Sequence, residues 1–149
     1  MNEEVINNLP SDAKKQFIKL ALKLSEKKTK KKVHDDFLSF VKHVWPEFIE
    51  GPHHKEIADK FNDIANGKIK RVIINMPPRH TKSEFASFLL PAWMVGRRPN
   101  LKIIQSTHTT ELAIRFGRKA KTLMDSPEYK QVFETRLRED SQAAGKWET

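Results

Sequence analysis

The stretch Arg71-Val72-Ile73-Ile74-Asn75-Met76-Pro77-Pro78-Arg79-His80-Thr81-Lys82-Ser83 decides the fold expected of this chain. Its first half is a short apolar, β-branched run between turn residues, which suits a strand buried on both faces of a sheet. Its second half is a loop that runs into a helical pattern over 83–90, which Pro91 should end or kink. Gly96-Arg97-Arg98-Pro99-Asn100 reads as a turn, and residues 101–107, LKIIQST, read as a second strand. Thr109 or Thr110 can cap a further helix with Leu112, Phe116, Ala120 and Leu123 along one stripe. Ser126-Pro127-Glu128 looks like another cap, with proline at the first helical position. The order strand, loop, helix, strand, helix predicts a right-handed βαβ unit in a parallel sheet, hence an α/β fold. No clear third strand follows, so the sheet is expected to be incomplete at the C-terminal end.

Upstream of this stretch the pattern is helical. Residues 1–10 look irregular, and Ser11 and Asp12 can cap a helix on which Phe17, Leu20, Ala21 and Leu24 share a face. Lys27, Lys28, Lys30, Lys31 and Lys32 follow, either as a solvated basic linker or as a DNA contact. A second helix is expected over 35–44 from Phe37, Phe40, Val41 and Val44, ended by Trp45-Pro46. A third is expected over 53–65 from Ile57, Phe61, Ile64 and Ala65. Asn66-Gly67 suits a left-handed helix stop. Two regions result: a basic N-terminal helix and linker over 1–33, and the remainder over 34–149.

The 149 residues carry Lys+Arg 28 against Asp+Glu 19, a net charge of +9. That balance points to a polyanionic partner such as nucleic acid, nucleotide phosphates or an acidic membrane surface, or to a soluble domain with a lysine-rich tail. The absence of cysteine excludes disulfides and thiolate metal sites. No apolar run approaches the roughly 18 residues of a membrane span, and the acidic, polar start is unlike a signal peptide. A cytoplasmic protein with no membrane contact is the expectation.

The loop carries the candidate chemistry. Lys82-Ser83 matches the end of the phosphate-loop pattern G-x-x-x-x-G-K-[ST], while Met76 and Thr81 stand where that pattern has glycines. A helix N-terminus offers free amides to an anion. Lys82 adds a full charge, and the Ser83 hydroxyl can ligate Mg²⁺. Pro77 and Pro78 have no N–H, so the donors must come from Arg79 to Ser83. Thr81 is the weak point if its position needs positive φ. Arg79 can reach a phosphate, or can pair with Glu84 as a solvated loop residue. His80 shapes the loop.

From Ile73 to Glu84 the sequence resembles the deviant Walker A region of tailed-phage terminase large subunits, whose members commonly carry a PPRHGKSE-like stretch. Phe48 with Gly51-Pro52-His53-His54, Pro91-Ala92-Trp93 with Gly96-Arg97, the Ile103 to His108 segment, Phe116-Gly117-Arg118 and Gly145-Lys146-Trp147 are similar to flanking parts of that family. The resemblance covers about residues 35–149. It implies the N-terminal part of an ASCE-like P-loop ATPase domain in a motor that couples ATP hydrolysis to DNA translocation into a capsid. The cofactors it implies are ATP and Mg²⁺. Pro77, Pro78, Arg79, His80, Thr81, Lys82, Ser83 and Glu84 would form the nucleotide site, with Arg79 and Lys82 catalytic and Ser83 on the metal. The implied partners are double-stranded DNA, portal protein, the small terminase subunit and further copies in a ring, in the cytoplasm of an infected host cell. Thr81 replaces the family's usual glycine. No apolar strand ending in an acidic pair is found after residue 100, since Arg138-Glu139-Asp140 lacks one, and the family's nuclease domain is absent. A truncated product with little turnover is therefore expected. The alternatives are a fragment of another P-loop motor such as a helicase, or a non-enzymatic basic module that binds nucleic acid.

Other constellations are weaker. His53-His54 with His34 or His43 matches no standard metal spacing; His53 or His54 can instead lie near an adenine. Trp45, Trp93 and Trp147 are core anchors or base-stacking platforms. Arg115, Arg118, Lys119 and Lys121 form a basic helix face that can track a DNA backbone, meet a neighbouring subunit, or stay solvated.

Overall fold

A computed structural model of the chain describes residues 10–137. The elements are α1 (Ser11–Asp35), α2 (Phe37–Val44), α3 (Pro52–Ala65), a short α4 (Lys82–Glu84), a π turn (Phe85–Leu89), α5 (Leu90–Arg97), α6 (Thr110–Asp125) and α7 (Pro127–Val132). The chain divides into two compact units between Lys31 and Lys32. The first holds most of α1; the second holds everything from the end of α1 onward.

The core of the second unit is aromatic. Phe37, at the start of α2, is fully buried, and its ring meets Phe61 of α3 at 5.2 Å, Phe85 of the π turn at 5.4 Å and Trp93 of α5 at 5.4 Å, each edge-on. Edge-to-face rings at these separations add about 0.5–1.5 kcal/mol per pair beyond area burial. Phe40, Tyr129 and Phe133 extend the cluster. Polar caps fix the helix starts around it. Asp36 accepts the Ser39 amide at 2.8 Å and the Asn62 side-chain amide at 2.9 Å, while the Asn62 carbonyl accepts the Phe37 amide at 2.9 Å. α2 and α3 are thereby locked at one end. Burial alone would raise the Asp36 carboxyl, but the hydrogen bonds from Ser39 and Asn62 outweigh it and hold the group below its ordinary value. Thr109 and Ser126 cap α6 and α7 by accepting from Leu112 and Tyr129. α3 stops at Asn66-Gly67, where Gly67 has φ of 74°.

Of the two outcomes expected of Pro91, an end or a kink, the helix does not end there. The Leu90 amide bonds to the Phe85 carbonyl, an i→i−5 step, so the ladder is already widened when the proline, which has no N–H, arrives. The helical path then continues to Arg97.

The larger correction concerns the sheet. Among the described residues there is no β-strand. Residues 71–76 and 101–107 were expected to be neighbours in a parallel sheet, and no backbone hydrogen bond joins them. Ile73 is 87% exposed and Ile104 is 96% exposed, where a doubly covered strand would bury both. Only Ile74 and Met76 of the first run pack against the core. A β-branched run favours a strand only when a neighbouring strand takes up its amides and carbonyls, and the described chain supplies none. A P-loop ATPase is built on a parallel sheet. The α/β P-loop fold class is therefore wrong for these residues, and the likeness to terminase large subunits stops at the loop's wording. The ATP-hydrolysing packaging motor, the Walker A and hydrolase assignments, and the alternative of a P-loop helicase all needed that sheet and fall with it. Arg138-Glu139-Asp140 and Trp147 lie outside the described residues.

Candidate functional site

The segment from Met76 to Glu84 folds as a tight turn leading into α4. Two of its residues take positive φ without being glycine: Arg79 at 65° and Thr81 at 56°. Thr81 is the residue before the helix and sits in the left-handed region, the conformation in which a β-branched side chain is most strained. Its hydroxyl donates to the His80 carbonyl at 2.7 Å, and the His80 ring nitrogen Nδ1 bonds the Pro78 carbonyl at 2.8 Å. The turn is thus held by its own side chains. Pro77, Pro78, Arg79, His80 and Ser83 are exposed, while Thr81, Lys82 and Glu84 are half-buried. The Lys82 ammonium donates back to the Met76 carbonyl at 3.3 Å.

Glu84 is the one carboxylate of the loop, and Lys119 of α6 takes both its oxygens at 2.7 and 2.8 Å. The alternative pairing of Arg79 with Glu84 is not formed. Among the described residues no group of three histidines, aspartates or glutamates is placed to hold a metal. Ser83 offers its hydroxyl to solvent with no such cluster behind it.

The strongest feature of the loop came from a residue the sequence marked only weakly. His54, on the first turn of α3, is buried. Its Nδ1 accepts the Gly51 amide at 2.8 Å, so Nε2 carries the proton and donates to the Thr81 hydroxyl at 2.5 Å. The chain Gly51 amide, His54 ring, Thr81 hydroxyl, His80 carbonyl fixes one neutral tautomer and ties the loop to α3. Phe48 and Phe85 cover the ring at centroid distances of 4.8 and 5.2 Å. His53 lies 3.9 Å from it, and His80 lies 5.6 Å from His53. Burial lowers the His54 pKa below its ordinary value. His53 and His80 push it the same way, and Glu50 opposes them. The only advance sign was the adjacent pair His53-His54 near a helix start; its partner lies 27 residues further on.

The second candidate surface lies in the first unit. Lys15, Lys19, Lys23 and Lys27 recur every fourth residue along α1 and are all exposed. At about 6 Å between successive members they make one straight ridge of positive charge. Lys31 continues it and Lys28 and Lys30 add charge on either side, inside the helix rather than in a flexible linker. Each like-charge i, i+4 pair costs α1 about 0.2–0.5 kcal/mol, so the ridge is not there for helix stability. Ile18, Leu20, Leu22 and Leu24 are more than half exposed beside it. The expected apolar face of this helix therefore covers no core of its own.

The basic face of α6 is less available. Lys119 is committed to Glu84 and lies over the Phe88 ring at 5.1 Å. Arg115 and Arg118 are exposed but border a depression that Glu111 and Glu128 also line. Trp93 is a core anchor with its indole N–H on the His34 carbonyl at 3.1 Å, and Trp45 packs on Phe48. His34 pairs with Asp35, and His43 bonds the Glu128 carbonyl, so neither joins the loop histidines. No family model, no curated protein and no solved structure matches this chain.

Proposed function

We propose that this chain is a nucleic-acid-binding module that grips the phosphate backbone of double-stranded DNA through the lysine ridge of α1. The observation that carries this is the exposed i, i+4 row Lys15, Lys19, Lys23 and Lys27. Among the described residues such a row pairs with no carboxylate, and it matches a linear polyanion. The residues after Leu24 favour DNA over a lipid surface. From Lys27 to Lys32 five of six residues are lysine, and the helix sector they leave open holds Ser25, Glu26 and Thr29, which gives a bilayer no apolar face there. The contacts are to backbone charge, so binding is sequence-tolerant and strongly salt-dependent.

The test is anisotropy titration of the full chain against a labelled duplex over a range of salt. Each lysine that releases a counterion contributes about −0.9 to the slope of log K against log salt. Replacing Lys15, Lys19, Lys23 and Lys27 together with glutamine is expected to flatten that slope by about 3.6. Lys82→Ala, in the other unit, is expected to leave it unchanged. An unaltered slope in the quadruple variant would refute the proposal. So would binding to anionic phosphatidylserine vesicles that depends on these lysines while duplex binding does not.

A further inference from the structure

We propose that His54 is a pH-operated latch: neutral, it ties the loop from Pro77 to Ser83 to the first turn of α3, and on protonation it lets the loop go. The inference is independent of the DNA proposal, since it concerns a different unit and a different chemistry. It rests on the directions of the two hydrogen bonds. The neutral ring uses both nitrogens in opposite senses, accepting from Gly51 and donating to Thr81. A second proton can go only on Nδ1, where it meets the Gly51 N–H head-on. The acceptor is lost, and two donors face each other 2.8 Å apart. The ring cannot turn to relieve this without also abandoning Thr81.

The surroundings offer the cation little help. Phe48 and Phe85 pack against the ring and exclude water. From its own helix it faces His53, and from the loop His80, both of which act against a charge on it. Glu50, on the segment before α3, is the one carboxylate that acts on it, and its oxygen already pairs with Lys42. The loop also carries Arg79 and Lys82. His53 adds to the instability, because its Nε2 is buried without a hydrogen-bond partner among the described residues.

The loop is ready to move once freed. Thr81 holds a left-handed backbone that its side chain disfavours, and its hydroxyl is what both anchors share. The cation keeps its Nε2–H, so the bond to Thr81 goes only as the ring turns away from the Gly51 N–H; that turn removes the outer anchor from a residue already under strain.

The experiment is NMR titration of the full chain from pH 8 to pH 5. It would follow the His54 ring, the Gly51 amide and the Thr81 amide in the wild type, in His54→Gln and in Thr81→Val. In the wild type all three signals should move with one midpoint below 6.5. Gly51 amide protection against exchange, corrected for intrinsic rate, should drop on the order of tenfold. Glutamine can accept from Gly51 and donate to Thr81 without titrating, so in His54→Gln the Gly51 and Thr81 transitions should vanish. In Thr81→Val the ring should still titrate while the loop shows its released shifts at every pH. The proposal is overturned if the Thr81 transition persists in His54→Gln, because His53 or His80 would then drive it. It is equally overturned if the wild-type ring titrates while Thr81 stays still, whether or not Gly51 moves.

Discussion

Thr81 holds two opposing effects at one position. Its positive φ costs roughly 1–2 kcal/mol for a β-branched residue, and its hydroxyl returns a comparable amount through bonds to His54 and His80. Thr81→Gly should therefore stay within about 1 kcal/mol of wild type, since relief of strain offsets the lost bonds. Thr81→Val keeps the strain and leaves the His54 N–H buried without an acceptor, so it should cost about 1–3 kcal/mol in urea unfolding. The opposite order of the two variants would mean that the left-handed geometry is misplaced. Gly96 is a second tight position. A Cβ there would lie 2.6 Å from the Tyr129 hydroxyl and 2.6 Å from the Phe133 ring. Gly96→Ala is expected to lower thermal stability by about 1–3 kcal/mol through overpacking. An unchanged melting temperature would show that α5 and α7 do not meet there. The strain at Thr81 was legible as a question from the missing glycine. The His54 bond that answers it was not, because no local pattern links residues 54 and 81.

Among the elements, what was legible followed from local signals. The helices over 37–44 and 52–65, the caps at Thr109 and Ser126 and the stop at Gly67 each depend on residues a turn apart. The two expected strands depended on partners, and a run such as Val72-Ile73-Ile74 cannot state in its own letters whether a partner exists. The lysine block was misjudged for a different reason. Lysine is a good helix former, and repulsion of a few tenths of a kcal/mol per pair is too small to unwind a helix begun upstream. That the helix runs on past Pro91 was not legible, because the π turn before it cannot be seen in the residues. The unpaired segments make a sharp prediction. Ile104→Lys should change stability by no more than about 0.5 kcal/mol, as for any solvent-facing residue. A loss of several kcal/mol would mean that Ile104 is buried in a sheet after all. The same substitution, and Ile73→Lys, should reduce self-association seen by light scattering, because exposed β-branched runs are templates for strand pairing.

At the scale of the whole molecule, two covered groups dominate the acid response; Asp125 is lowered too, by Lys130, but is fully exposed. His54 has its pKa lowered in the folded chain, so the unfolded chain binds the proton more readily. Its contribution is complete above about pH 6.5, the unfolded value, and is lost as pH falls through the lower folded value. Asp36 is lowered as well, so its contribution is lost at more acidic pH, below 3.8. Urea midpoints should therefore fall in two steps on acidification. The first should be absent in His54→Gln and the second absent in Asp36→Asn; a single step common to all three proteins would contradict this. The charge-driven mode of DNA binding follows from the same architecture. With an aromatic helical core in one unit and an exposed lysine ridge in the other, what the chain presents to a polyanion is surface charge, not a sheet-borne nucleotide site. The most direct test of that claim is a set of amide-to-amide and amide-to-α-proton NOEs on the full chain, read for residues 71–76 and 101–107. Sequential contacts only are expected, with helical shifts from α2 through α7. Cross-strand contacts between or beside those two segments would contradict it and restore a sheet to the core.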